Sequence, residues 1–195
     1  LLTQRGTPVS VITRSGSGPD HPLVTKLQGD AADAELMARV ATGAAAIHNC
    51  ANPPYHRWAT DWPPIHRALM TAAERTGAVL VMMDNLYAFG PGGTMPMREG
   101  DAMKATGTKG AMRATMAREL LAAHAAGRLR ATLARASDFY GPRVIGSAFG
   151  DRVVPRVLAG KKVSMLGAID VPHSVSYMPD VARTLVAIAD DERAW

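Results

Sequence analysis

The stretch RASDFYGPRV, residues 135–144, ends an alternating apolar run on groups that can do chemistry. Arg135 carries a fixed cation, Asp138 an acid, and Tyr140-Gly141-Pro142 an aromatic turn. Open α/β folds bind ligands where strands stop at the sheet's carboxyl edge, so a polar strand end of this kind marks a candidate site. A second cation, Arg14, closes the β-branched run VSVIT, 9–13, and suits a phosphate. Metal chemistry finds no matching pattern. The six histidines show no ligand spacing, and His48, His56 and His66 are scattered. One cysteine, Cys50, excludes an internal disulfide and any cysteine-based zinc site.

Composition bounds the classes that remain. The chain has 195 residues and a mass of 20.6 kDa, enough for one domain or one domain with a small lobe. Hydrophobic residues make up 47% and charged residues 20%, so a sizeable core is expected. No apolar run approaches the roughly 20 residues that span a bilayer. The start, LLTQRGTPVS, lacks the charged-then-apolar order of a signal peptide. The expected compartment is a reducing cytoplasm, with no membrane partner. The net charge is +5 and the pI about 9.7. Yet the longest basic run is Lys161-Lys162, and no basic helix face alternates with aromatics. That distribution argues against nucleic acid and for a phosphorylated small molecule.

The elements that must position these groups follow from periodicity and punctuation. VSVIT is a strand, and SGSGPDHP a loop. In GDAADAELMARVATG, Asp33 caps a helix that buries Leu36, Met37 and Val40 and stops at Gly43. AAAIHNCA is a short buried strand. NPPYHRWATDWPP reads as a loop because its prolines break both periodicities. Ile65, Leu69, Ala72 and Ala73 share one face of a helix over 65–76, ended by Gly77. AVLVMM, 78–83, is continuously apolar, the mark of a strand covered on both faces. Residues 84–108 form a long loop of the kind that is functional or mobile. A helix over 109–126 is capped by Gly127, and a strand over 129–137 leads into the opening motif. VVPRVLAG is a short helix, KKVSMLG and HSVSYM are short strands, and Asp180 starts a terminal helix. The alternation from 9 to about 135 predicts a doubly wound parallel α/β sheet.

The order of five motifs resembles the extended short-chain dehydrogenase/reductase family, the NAD-dependent epimerase/dehydratase group. LQGDAAD resembles its Gly-Asp turn, IHNCA its strand ending beside the cofactor, and LYAFGP its aromatic-Gly turn. RASDFYGP is similar to its Arg-Pro-x-Asn-x-Tyr-Gly-Pro segment, and HSVSYMPDVAR to its late strand and Asp-Val-Ala. The resemblance covers nearly the whole chain. It implies a Rossmann-like domain over 1–140 and a small substrate lobe over 141–195. The glycine-rich phosphate fingerprint is absent, because SGSGPD opens no helix. LLTQRG looks like the end of the helix that follows those glycines, so the expectation is an N-terminal truncation lacking the first strand.

The resemblance also implies roles. Asp30 would contact adenine, with Ala31, Cys50, Ala51 and Ser137 lining the cofactor. Arg14 would grip a 2′-phosphate and favour NADP over NAD. Lys109 matches the lysine of Tyr-x-x-x-Lys, but Ala105 stands where the tyrosine should be. Asn85 falls at the family's serine, and its amide can polarise a carbonyl. Tyr87 is the nearest phenol, with Lys109 the cation that would depress its pKa. Asp138 would contact substrate. Each has a plainer reading: a turn former at Asp30, a surface cation at Arg14 or Lys109, a turn amide at Asn85, a packed ring at Tyr87. Three functions stay open. The chain is an NAD(P)-dependent oxidoreductase or epimerase/dehydratase acting on a carbonyl or nucleotide-sugar-type molecule, a catalytically inactive NAD(P)-binding redox sensor, or an incomplete chain with neither activity. Homodimer formation is also left open.

Overall fold

The computed structural model describes residues 1–147, 149–150, 153–164 and 170–195. β1 (Val9–Thr13) and β2 (Val24–Gln28) pair in parallel, Val9 opposite Val24. α1 (Ala34–Ala41) starts at Asp33, whose Oδ1 accepts from the Leu36 N–H at 2.9 Å and satisfies a first-turn donor. β3 (Ala46–Asn49), α2 (Trp58–Thr76), β4 (Val79–Asn85), α3 (Thr108–Ala125) and β5 (Ala131–Ala136) then build a parallel sheet in the order β3-β4-β5. β6 (Asp138–Tyr140), α4 (Val154–Leu158), β7 (Val175–Tyr177) and α5 (Met178–Asp190) complete the chain, with β6 and β7 parallel.

β4 shows why this is an α/β sheet covered on both faces. Its alternate residues Leu80 and Met82 face one cluster with α1, α2, α3 and β5 residues, among them Met37, Leu69, Met116 and Leu120. Val79 and Val81 face a second cluster with Val181, Leu185 and Ile188 of α5. An apolar strand residue therefore finds a helix on either side, which removes the need for polar alternation. The doubly wound, Rossmann-like reading holds.

Several boundaries differ from the sequence reading. β2 was not legible, because VTKLQ buries only Val24 and Leu27 in part and neither alternates strictly. α2 starts at Trp58, not 65, and carries Pro63 and Pro64 inside it. The prolines leave the carbonyls of Ala59 and Thr60 without their helical donors, at roughly 3 kcal/mol each. Trp58 and Trp62, 7% and 2% exposed, offset this. Indoles burying about 200 Å² apiece return about 5 kcal/mol each. β4 runs on through Asp84 and Asn85, since Asp84 is charged but paired. α5 starts at Met178, with Pro179 in the first turn, where a missing N–H costs nothing. The expected strand at 161–167 is irregular over 161–164, and its remainder lies outside the described residues. β1 hydrogen-bonds only β2, and β3 only β4, among the described residues. Each keeps one edge without a ladder partner there.

Candidate active site at the carboxyl edge of the sheet

Two of the candidate residues, Asn85 and Tyr87, lie at the turn after β4. Asn85 Oδ1 accepts from the Tyr87 N–H at 3.0 Å, which bends the chain sharply out of the strand. The side-chain oxygen of Asn85 is thereby used, and among the described residues no hydrogen bond engages its Nδ2. Tyr87 lies against two residues that the sequence reading had placed in a structureless loop. Its ring is 6.3 Å from that of Tyr55, near-perpendicular, and 5.5 Å from that of Trp58. Tyr55 and Trp58 meet edge-on at 5.0 Å. Gly110, in the first turn of α3, allows this approach: a Cβ there would lie 2.6 Å from the Tyr87 carbonyl oxygen.

Lys109 takes a different partner from the expected one. Its Nζ stands 4.2 Å from the centroid of the Tyr55 ring. The Tyr87 phenol is pushed up to about 12, first by burial, then by hydrogen bonding to Tyr55 and by the charges of Tyr55 and Asp138. The expected depression by Lys109 is thus reversed, because desolvation disfavours the phenolate and the cation faces the other ring.

Below the turn, an ion-pair network fixes the strand ends. Asp84, 4% exposed, accepts from Arg113 Nε at 3.0 Å and from its Nη2, and from Arg135 Nε at 3.2 Å. Arg113 stacks 4.5 Å from the Trp62 ring, and Arg135 lies 5.1 Å from that of Phe89. This answers why β5 carries an Arg near its end: Arg135 is the register partner of Asp84. The network was missed, although a signal exists. Asp84 continues the 80, 82, 84 face of β4, and Arg113 stands three, four and seven residues before the buried Met116, Ala117 and Leu120.

The other candidates sit at neighbouring strand ends. Arg14 follows β1, exposed, and against the effect of burial the Asp61 carboxyl in the first turn of α2 is lowered by hydrogen bonds from Arg57 and Thr60 and by the charges of Arg57 and, last, Arg14. Gly29 N donates to Thr13 O at 3.0 Å, so the Asp30 turn lies beside Arg14. Asp30 Oδ1 accepts from the Ala32 N–H at 2.9 Å, while Ala31 packs on the core. At the end of β3, Ala51 N donates to Asn49 Oδ1 at 3.1 Å. Cys50 has solvent-facing surface, but the protein around it pushes its thiol up by desolvation. Ser137 N and Oγ both reach Ser176 Oγ, at 3.1 Å each. Asp138 Oδ2 is 2.8 Å from His173 Nε2, a pairing that sequence reasoning did not anticipate. Asn85 and Tyr87 at the end of β4 thus meet Tyr55 and, through its ring, Lys109, while the Asp138–His173 pair follows the end of the neighbouring strand β5. Arg14, Asp30 and Ala31 form a second group at the ends of β1 and β2. Among the described residues, no cluster of His, Cys, Asp and Glu could hold a metal. No helix there is long and apolar enough to cross a membrane.

Comparison with known proteins gives one family and one fold. The model of the NAD dependent epimerase/dehydratase family matches residues 1–194. No curated protein matches. UDP-N-acetylglucosamine 4-epimerase from Methanobrevibacter ruminantium M1, in complex with UDP-N-acetylmuramic acid, superposes with a TM-score of 0.81 at 16% identity, over 94% of this chain. The Bordetella bronchiseptica enzyme WbmH in complex with NAD+ does so at 0.76 and 20%, over 97%. The dTDP-glucose 4,6-dehydratase DesIV from Streptomyces venezuelae, with NAD bound, gives 0.73 and 18%, over 94%. The chain spans 66%, 66% and 63% of these three proteins, just under two thirds of each.

Proposed function

We propose, for a chain that belongs to the NAD-dependent epimerase/dehydratase family, that it binds a nicotinamide dinucleotide along the carboxyl edge and acts on the carbonyl or carbinol of a nucleotide-sugar-type molecule. The observation that carries this is the convergence of Asn85, Tyr87 and Lys109 at the end of β4, where parallel sheets place their ligands. The donor set fits a dinucleotide. Arg14 and Lys109 supply cations for phosphate and ribose, Asp30 an acceptor for the adenine amine, and Ala31, Cys50, Ala51 and Ser137 are small enough for close approach. When bound, the nicotinamide would exchange hydride with the substrate carbon. Asn85 Nδ2 and the Tyr87 hydroxyl would donate to its oxygen, and Asp138 would lie on the substrate side. Of residues 141–195, proposed as a substrate lobe, α5 packs on the sheet, so the lobe is assigned to the residues before α5.

NADP is the preferred cofactor in this reading, because the Arg14 guanidinium matches a 2′-phosphate with charge-assisted hydrogen bonds. Calorimetric titration tests it. Arg14→Ala weakens NADP binding and leaves NAD binding nearly unchanged, whereas equal losses remove Arg14 from the site. A second reading, an NAD(P)-binding sensor without turnover, is favoured by Ala105 at the tyrosine position and by a Tyr87 phenol pushed up to about 12. Tight dinucleotide binding with no carbonyl reduced selects it.

A further inference from the structure

Resting on the oxidoreductase reading, one need is unmet. Hydride transfer to a carbonyl leaves charge on oxygen, and some group must deliver a proton. The family tyrosine is Ala105, and the Tyr87 phenol is a weak acid. We propose that His173, oriented by Asp138, is the proton-transfer group of this site, in a dyad that stands in for the missing tyrosine.

The geometry is specific. Asn85 is the register partner of Ala136, and Asp138 follows two residues on, about 7 Å further along the chain. That register sets the dyad near the turn after β4, and the Tyr87 phenol, raised first by burial and by Tyr55, is raised further by the charge of Asp138. His173 comes from the segment before β7, and Asp138 pairs with Val175 in the β6–β7 ladder. The two segments are pinned again by Ser137 and Ser176. The Phe149 ring lies 5.5 Å from the imidazole at 33°, which holds its plane. Asp138 engages Nε2 at 2.8 Å, and among the described residues nothing hydrogen-bonds Nδ1. One nitrogen is therefore oriented and the other has no hydrogen-bond partner among the described residues, the division of labour of a His–Asp couple. Stability gives little reason for the pair. Its side chains are 53% and 44% exposed, and such pairs contribute about 0–1 kcal/mol.

In the reducing direction, the carbonyl carbon accepts hydride from a reduced nicotinamide, and the C=O π pair moves to oxygen. That oxygen takes the proton from Nδ1 of the His173 imidazolium: N–H breaks as O–H forms. Asp138 holds the ring through Nε2 during the step, and solvent returns the proton afterwards. In the oxidising direction neutral His173 removes the carbinol proton as hydride leaves. One carbonyl, one reduced nicotinamide and one proton give one carbinol and one oxidised nicotinamide.

The test uses the full chain and three variants, His173→Gln, Asp138→Asn and His173→Gly, with melting curves to verify folding. NADH and NADPH are titrated by calorimetry, and turnover is measured on UDP-glucose, UDP-galactose and small aldehydes. His173→Gln should lose about 10²–10⁴-fold in kcat with unchanged dinucleotide affinity. Asp138→Asn should lose less, and added imidazole should restore part of the kcat of His173→Gly. Independently of turnover, the His173 ring resonance in NMR should move on dinucleotide binding, while those of His21 and His124 stay fixed. Absent binding of both dinucleotides overturns the oxidoreductase reading and the dyad with it. Intact binding with wild-type kcat in His173→Gln, no imidazole rescue, or a stationary His173 resonance overturns the dyad alone.

Discussion

A phenol pushed up to about 12 stays protonated across the neutral range. In the proposed site Tyr87 therefore donates to a developing oxyanion and takes up no proton. Losing one such donor costs about 10²–10³-fold in rate. Tyr87→Phe is expected to lower turnover by that order with cofactor affinity intact, and Lys109→Ala to reduce both. NADPH oxidation against aldehydes, ketones and nucleotide sugars measures this, and a wild-type rate in Tyr87→Phe removes the phenol from the chemistry. His66 has the opposite kind of shift. It is 1% exposed, and among the described residues neither ring nitrogen has a hydrogen-bond partner. Burial, then Arg113 and Arg67, lower it from 6.5 to about 4, against Asp84, with the Glu119 carboxylate 3.5 Å from Nε2. The folded state thus binds fewer protons than the unfolded. Stability is full above about 6.5 and falls as pH drops towards 4, by roughly 3 kcal/mol in all. Denaturant melts across that window check it: His66→Gln should flatten the dependence, and an unchanged slope would exclude His66 as its source.

At the scale of elements, the site depends on α3 lying close to the turn after β4. Gly110 makes the contact, since an added Cβ would lie 2.6 Å from both Ala105 Cβ and Tyr87 O. Neither neighbour is the end of a flexible side chain, so the helix or the turn must move. Overpacking of this kind costs typically 1–3 kcal/mol. Gly110→Ala should lower the melting temperature and displace Tyr87, cutting turnover. Gly100→Ala, whose Cβ meets nothing within 4 Å, serves as the control and should melt as wild type. Equal melting temperatures for both variants would mean that the packing at Gly110 relaxes freely. α2 works by the same logic of position. Its two prolines are tolerated because Trp58 and Trp62 anchor the turns around them, and the first of these indoles also forms a wall beside Tyr87.

For the whole molecule, β1 and β3 each present an edge with no ladder partner among the described residues. Unpaired parallel edges hold rows of free N–H and C=O groups, and another chain can satisfy them. The 195-residue chain in isolation is therefore expected to self-associate as its concentration rises. Light scattering with size-exclusion chromatography measures this. A monomer that melts cooperatively at every concentration would show that the edges are protected by other means.

Much of this was legible in the chain itself. β4 announced itself because a strand covered on both faces needs no polar residue over 78–83, and Asp33 announced α1 because a first turn needs an acceptor. The resemblance of five short motifs named the family, since loop residues that hold a ligand are constrained one by one. What the sequence left unread depended on partners far away in the chain. Asp84 looked like the start of a loop until Arg113 and Arg135 neutralised it, from 29 and 51 residues away. Trp58 looked like part of a Pro-broken loop, because helix propensity is local and burial is not. Lys109 was expected to act on Tyr87, but no spacing in sequence shows that its ammonium lies over the Tyr55 ring. His173 meets Asp138 across 35 residues. Periodicity and caps act over a few residues and are written in order along the chain. Desolvation, ion pairing and ring stacking act through space, so only the folded sheet decided which charges met and which phenol stayed protonated.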